Sequence, residues 1–179
     1  MDAHKQEPRF GGDEHPSVGS TTPAGQATLP PMFDLIEMLF FAYRDFVGDA
    51  DRVLESYAFG RAHHRVLHFV HRQPGLNIAE LLDILQITKQ SLNRVLKDLL
   101  DQDFVEARAG VNDRRQRQLH ATAAGVRLAV QLANVQTQRF ARALDSLGEG
   151  GRAQATGFLL AMIGPDEQGK VLSLLERAR

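Results

Sequence analysis

Residues 77–100 carry two short amphipathic segments packed so tightly in sequence that few folds can accept them. Asn77-Ile78-Ala79-Glu80 reads as a capping box, in which the Asn77 side chain accepts from an amide of the first turn and Glu80 reaches back to the cap. A short helix from Ile78 to about Leu85 follows. Only Gln86 and Ile87 then intervene before Thr88, a second N-cap, which opens a helix over Lys89 to Leu100. Two short helices joined by so brief a turn form a helix-turn-helix.

The second of these helices has two faces with different requirements. Leu92, Val95, Leu96 and Leu99 recur at helical spacing and make an inner stripe. Lys89, Gln90, Ser91, Asn93, Arg94 and Lys97 point elsewhere, and they are the residue types that a major-groove reader uses. Gln and Asn pair bidentately with adenine, Arg and Lys reach guanine, and hydroxyls near a helix start, such as Thr88 and Ser91, bind phosphate together with backbone amides. A solvated polar face accounts for the same pattern, so this helix alone does not decide.

The segment behind it shifts the balance. Phe104 to Arg108 and Gln118 to Ala121 are short, strand-like pieces flanking a basic stretch from Ala109 to Arg117, which reads as a hairpin with a long tip. Asn112-Asp113-Arg114-Arg115-Gln116-Arg117 sets three guanidiniums on that tip, where a narrow minor groove with enhanced negative potential attracts them. Asp113 is placed to orient Arg115 through a charge-assisted hydrogen bond. In isolation such a run is a solvated charge cluster. Directly after a helix-turn-helix and a strand, it reads as a DNA-binding wing.

The flanks divide the rest of the chain. Residues 1–29 mix Gly, Pro, Ser, Thr and charge without periodicity and are expected to form a disordered tail. From Met32, one row of Phe33, Ile36, Phe40, Tyr43 and Val47 runs beside a second of Leu35, Leu39, Ala42 and Phe46. That is a helix apolar on two sides, which Gly48 is expected to end, with a shorter helix over Ala50 to Phe59 after it. Arg61 to Arg72 is helical, with Val66, Leu67 and Val70 on one side, and Gln73-Pro74-Gly75 stops it. Thr122 opens a long helix that ends at the Gly148–Gly151 break, and shorter helices follow around Phe158–Ile163 and Val171–Leu175.

The fold class is therefore mostly α: a winged helix-turn-helix over residues 60–122, with N-terminal helices (30–59) and C-terminal helices (123–179) on either side. A winged helix of about 60 residues has only a small core of its own. Its apolar flanks are expected to pack against those of a second copy, making a dimerisation domain, with packing into a monomeric bundle as the alternative. A two-fold dimer sets its reading heads roughly one DNA turn, about 34 Å, apart, on a pseudo-palindromic site.

Composition bounds the function classes. The formal net charge of -1 is low for a polyanion binder, so the basic residues have to be judged by where they cluster. No apolar run approaches the roughly 20 residues that span a bilayer, and the first 30 residues lack the apolar core of a secretory leader, so a cytoplasmic protein without a membrane partner is expected. With no cysteine in 179 residues, disulfides, zinc ribbons and thiol redox chemistry are excluded. No phosphate-binding Gly loop, HExxH or GxSxG occurs, so neither an enzyme nor a cofactor is expected.

The order of these elements and their residues resemble the MarR family of bacterial regulators. The stretch from Gly75 through Leu81, Thr88, Lys89, Gln90, Ser91 and Arg94 to Leu99 looks like that family's helix-turn-helix, and Asn112-Asp113-Arg114-Arg115 followed by Thr122-Ala123-Ala124-Gly125 looks like its wing and next helix. Ala121 departs from the pattern, standing where the family usually has Leu. The resemblance implies that Arg115, supported by Asp113, enters the minor groove, while residues around Lys89 to Arg94 face the major groove. It implies double-stranded DNA and a second copy of the chain as partners, and a repressor released by a small, often aromatic effector bound between the dimerisation and DNA-binding parts. The competing reading is a winged helix that serves as a protein-interaction or scaffolding module.

His63, His64, His68 and His71 crowd one helix. His64 and His68 have the i, i+4 spacing that can share a metal, but His64 and His71 are separated by roughly 10.5 Å of helical rise, so one straight helix cannot bring all of them to one ion. No metal is expected. Polar surface or interface positions account for these histidines, and the alternative is that His64 and His68 line the effector pocket.

Overall fold

The computed structural model describes residues 29–110 and 116–178. The expected tail, except for Leu29, lies outside the described residues. In chain order the elements are α1 (Phe33–Leu54), a 3₁₀ turn (Glu55–Tyr57), α2 (Arg61–Arg72), β1 (Leu76–Asn77), α3 (Ile78–Leu85), α4 (Lys89–Asp101), β2 (Val105–Ala109), β3 (Arg117–Ala121), α5 (Ala123–Leu147), α6 (Gly151–Ala161) and α7 (Pro165–Arg177). The mostly helical winged-helix architecture expected from the sequence is the one observed.

Local chemistry sets the boundaries of the central elements. At the start of α3, the Glu80 amide donates to Asn77 Oδ1 at 3.0 Å and the Asn77 amide donates to Glu80 Oε2 at 2.9 Å, so both halves of the capping box are made. Gln86 ends the helix in the left-handed region, at φ 50°. Two residues later Thr88 Oγ1 accepts from the Ser91 amide at 3.2 Å and starts α4. Each cap satisfies donors that the first helical turn leaves open, worth about 1 kcal/mol apiece.

The sheet has a strand that the sequence reading lacked. Its order is β1-β3-β2, all antiparallel, with Leu76 opposite Leu119 and Val105 opposite Ala121. Leu76, Leu119 and Val105 turn inward and are buried. They join Val66, Leu67 and Val70 of α2, Leu81 and Leu85 of α3, Leu92, Val95, Leu96 and Leu99 of α4, and Leu128, Ala129 and Leu132 of α5 in one core. Helix α2 lies at its centre, touching α1, α3, α4, α5 and β3.

Gly48 does not end α1, which runs on to Leu54. A mid-helix glycine costs about 1 kcal/mol relative to alanine, and packing on α5 offsets it. Phe46 meets Phe140 edge to face at 5.5 Å, Arg139 Nε donates to Asp49 Oδ2 at 2.6 Å, and Ala50 and Leu54 enter the core. The helix ends instead in the 3₁₀ turn, closed by Ala58 at φ 56°.

The other end of α1 is uncovered. Every residue from Phe33 to Arg44 is exposed, although Phe33, Leu35, Ile36, Met38, Leu39, Phe40, Phe41 and Tyr43 are among them. Phe140 and Leu147 of α5, Phe158 and Leu159 of α6 and Met162 just after it are similarly open. A helix that is apolar all round belongs in an interior.

Candidate nucleic-acid interface

The α4 helix is held by its inner stripe, with Leu92 and Leu99 fully buried, and its position is fixed by contacts from α2. His63 Nδ1 accepts from the Gly60 amide at 3.1 Å, which leaves Nε2 to carry the proton, and that nitrogen donates to Asp98 of α4 at 3.2 Å. The ring is stacked on Phe59 at 4.7 Å. Arg65, on the same helix, donates to the Leu85 carbonyl at 3.1 Å, satisfying an acceptor at the C-terminus of α3. Both helices of the helix-turn-helix are thus fastened to α2 by polar contacts as well as by the core. Neither role is legible locally: His63 stands in sequence among His64, His68 and His71, and Arg65 carries no local signal.

Thr88, Lys89, Gln90, Ser91, Asn93, Arg94 and Lys97 are all exposed. They do not form a uniform surface. Lys97 is paired with Asp101, one turn on, and Asp98 stands between them, so the C-terminal half of α4 carries compensating acid. The N-terminal half, from Thr88 to Arg94, presents amide, hydroxyl and cationic groups with no carboxylate among them.

Arg117 is exposed at the base of the wing, where β3 begins opposite Ala109. With Gln116 it lines a shallow recess shared with Asn77, Ile78 and Ala79 at the start of α3. Asp113, Arg114 and Arg115 lie outside the described residues.

A separate cavity of about 500 Å³ lies between α1, α2 and α5. Tyr43, Phe46 and Phe69 give it aromatic walls, and Arg61, Arg65, Asp51, His64 and His68 give it polar ones. Arg61 is tied to Asp51 at 2.8 Å. His64 and His68, with ring centroids 6.4 Å apart, both face this space, whereas His63 faces α4. Among the described residues no group of three or more metal-ligating side chains is placed to hold an ion.

Burial pushes the His64 and His68 imidazoles below the ordinary value of 6.5, and for His68 the neighbouring His64, Arg72 and His71 add to the effect. Both are neutral when folded at pH 7. The unfolded chain therefore binds more protons once the pH drops through about 6.5, so stability is lost as pH falls below that value. The denaturant midpoint is expected to fall between pH 7.5 and pH 5.5, and to fall less in a His64→Gln/His68→Gln variant; equal falls in the two proteins would rule out this source.

Residues 59–116 match the model of a protein family described as the MarR family. The chain is 45% identical over 130 residues to the HTH-type transcriptional regulator PetP of Rhodobacter capsulatus, an alignment that covers 73% of this chain and 78% of that one. Similar solved structures include a MarR transcriptional regulator from Methanosarcina mazei Go1, with a TM-score of 0.63 and 22% identity over 80% of this chain and 94% of that one. Another is the S. aureus MepR-DNA complex, with a TM-score of 0.57 and 19% identity over 75% of this chain and 97% of that one. At such identities the structural likeness speaks for the fold.

Proposed function

This chain belongs to the MarR family of winged helix-turn-helix, DNA-binding transcription regulators, and we propose that it acts as a homodimeric repressor on a pseudo-palindromic duplex site and is released by a small aromatic effector. The observation that carries this reading is the pairing of an exposed, carboxylate-free α4 start with an α1 whose first 12 residues are exposed and largely apolar. The first feature suits a major groove. The second suits a partner helix of the same kind, and two-fold pairing presents two copies of α4 to one face of a duplex.

In this reading Thr88 and Ser91 hold phosphate at the start of α4, and Gln90, Asn93, Arg94 and Lys89 reach base edges. Lys97, drawn to Asp101, is left to a phosphate contact at the edge of the groove. Arg114 and Arg115, the latter oriented by Asp113, are assigned to the minor groove on their sequence, with Arg117 gripping the backbone beside α3. The cavity bearing His64 and His68 is the proposed effector site. It lies between α1 and α5 on the dimerisation side and α2 on the reading side, so a ligand there can favour one arrangement of the heads over another.

The test is Arg115→Ala. Loss of a guanidinium from the minor groove is expected to weaken duplex binding by about tenfold to a hundredfold, a cost of 1–3 kcal/mol, with the dimer intact by sedimentation. Wild-type binding is expected to weaken steeply with salt as phosphate contacts release counterions. Unchanged affinity in the variant would sink the wing assignment, and a wild-type chain that enriches no motif from random duplexes would favour a protein-interaction module.

A further inference from the structure

Among the described residues Gln73 stands alone as a buried polar side chain, 9% exposed. A buried amide is costly unless it is bonded, and the partner of this one is remote. Gln73 Nε2 donates at 2.7 Å to the carbonyl of Leu174, in the last turn of α7. That carbonyl is available because the Ala178 amide bonds to Glu176 instead of continuing the helical pattern. The two groups thus satisfy each other across 101 residues of chain.

Helix α7 has little else to hold it in place. Val171 and Leu174, with Ala178 just beyond the helix, are half-buried, and Leu172 and Leu175 are exposed. Between α7 and the α2–α3 pair runs a cleft of about 680 Å³, bordered by Phe69 and Ile84 on one side and Val171 and Leu174 on the other. Lys170 spans it to Asp83 of α3 at 3.7 Å while also meeting Glu167 at 3.1 Å. A helix fastened at two polar points across an open cleft is a strap, and its release costs far less than breaking an apolar seam.

The strap is fastened at a corner that controls the reading head. The Gln73 amide closes α2 on the Phe69 carbonyl at 2.9 Å, and the Gln73 carbonyl accepts from Leu76 at 3.2 Å, where β1 begins. Two residues on, the Gly75 amide donates to Leu119 of β3 at 2.9 Å. From this one corner the chain proceeds into α3 and is tied through β3 to the wing.

We propose that Gln73 is a positioning residue for DNA recognition: it latches α7 onto the corner that launches the reading head, and thereby fixes the head against the C-terminal helices. Opening the latch would exchange the Leu174 carbonyl for water, so a dimer interface or a ligand that favours the closed contact can bias it. This inference rests on the homodimer reading, because a fixed head matters only when two heads must match one spacing.

The test uses the full chain carrying Gln73→Met, which keeps the length and apolar stem but has no donor, and Gln73→Glu, which keeps the shape and replaces the donor with an acceptor. In both, amide exchange across Val171 to Ala178 is expected to accelerate on the order of tenfold, the effect of one lost buried hydrogen bond. Affinity for duplexes whose half-sites are separated by one or two base pairs more or fewer than the optimum is expected to approach that for the best duplex several-fold more closely than in wild type. Unchanged exchange in α7 overturns the latch. Faster exchange with unchanged spacing discrimination overturns the positioning role. A wild-type chain that sediments as a monomer overturns the dimer reading and the positioning role with it, while exchange still reports the latch contact by itself.

Discussion

Replacing Ile36 and Phe40 together by Asp is expected to leave a folded monomer that binds its duplex site about a hundredfold to ten-thousandfold more weakly than wild type, because the second reading head is no longer delivered by the first. The two residues lie one turn apart on α1 and are 45% and 66% exposed, so the change removes nothing from the intrachain core, which begins at Ala50. Eight large apolar side chains stand open between Phe33 and Tyr43. They are 45–66% exposed, so covering each contributes about half of the roughly 1.5–3 kcal/mol of full burial, and over two protomers the sum is enough to offset an association cost of about 4–15 kcal/mol. Two carboxylates buried without partners in that surface oppose it strongly. Sedimentation should show the monomer, circular dichroism an unchanged helix content in the reading head, and duplex titration the loss of affinity. A variant that remains dimeric with unchanged affinity would assign the α1 face to something other than a second copy.

The parts of the fold that could be read from sequence are those whose causes are local. Asn77 with Glu80, and Thr88 with Ser91, lie within one turn of each other, and the structure makes every bond their spacing promised. The stripe Leu92, Val95, Leu96 and Leu99 is buried because helical periodicity is a property of the segment itself. What could not be read depends on remote partners. Gly48 looked like a terminator because the Phe140 and Arg139 that stabilise the helix through it are some 90 positions away. Strand β1 is two residues long, too short for any alternation, and exists because Leu119 is there to pair with Leu76.

The interface shows the same division. Which α4 residues are exposed followed from the inner stripe. That the face is polarised did not, although the signal was present: Lys97 and Asp101 stand at i, i+4, a spacing that pairs opposite charges on a helix. Gln73 read only as the end of α2, since nothing near it in sequence indicates a bond to Leu174. The histidines separate by face rather than by spacing. His63 acts on α4 through Asp98, and His64 and His68 turn to the cavity, a division that needs the packing of α1 and α5 to be seen.

Gly125→Ala is expected to be severely damaging for a single added methyl, destabilising the chain by about 3 kcal/mol or more and abolishing duplex binding as the reading head loses its shape. Gly125 sits in the first turn of α5, where the Thr122 side chain caps the helix by accepting from the Gly125 amide at 3.1 Å while donating to the Asp103 carbonyl at 2.6 Å. The Thr122 amide also donates to the Phe104 carbonyl at 3.2 Å. These bonds draw α5 against the turn that leads from α4 into the wing. A Cβ at Gly125 would lie 1.9 Å from the Phe104 carbonyl oxygen and 3.3 Å from Leu67 Cδ1. A backbone oxygen cannot swing aside as a flexible side-chain tip can, so either α5 lifts and the Thr122 contacts are lost, or Phe104 shifts and takes β2 with it. Gly169→Ala provides the contrast, because its added Cβ meets nothing within 4 Å on the surface of α7 and helix propensity favours Ala by about 1 kcal/mol. Thermal unfolding of the two variants beside wild type checks the claim. A Gly125→Ala protein that melts like wild type would mean that the α5 start and the wing turn are not held together as tightly as their bonds require.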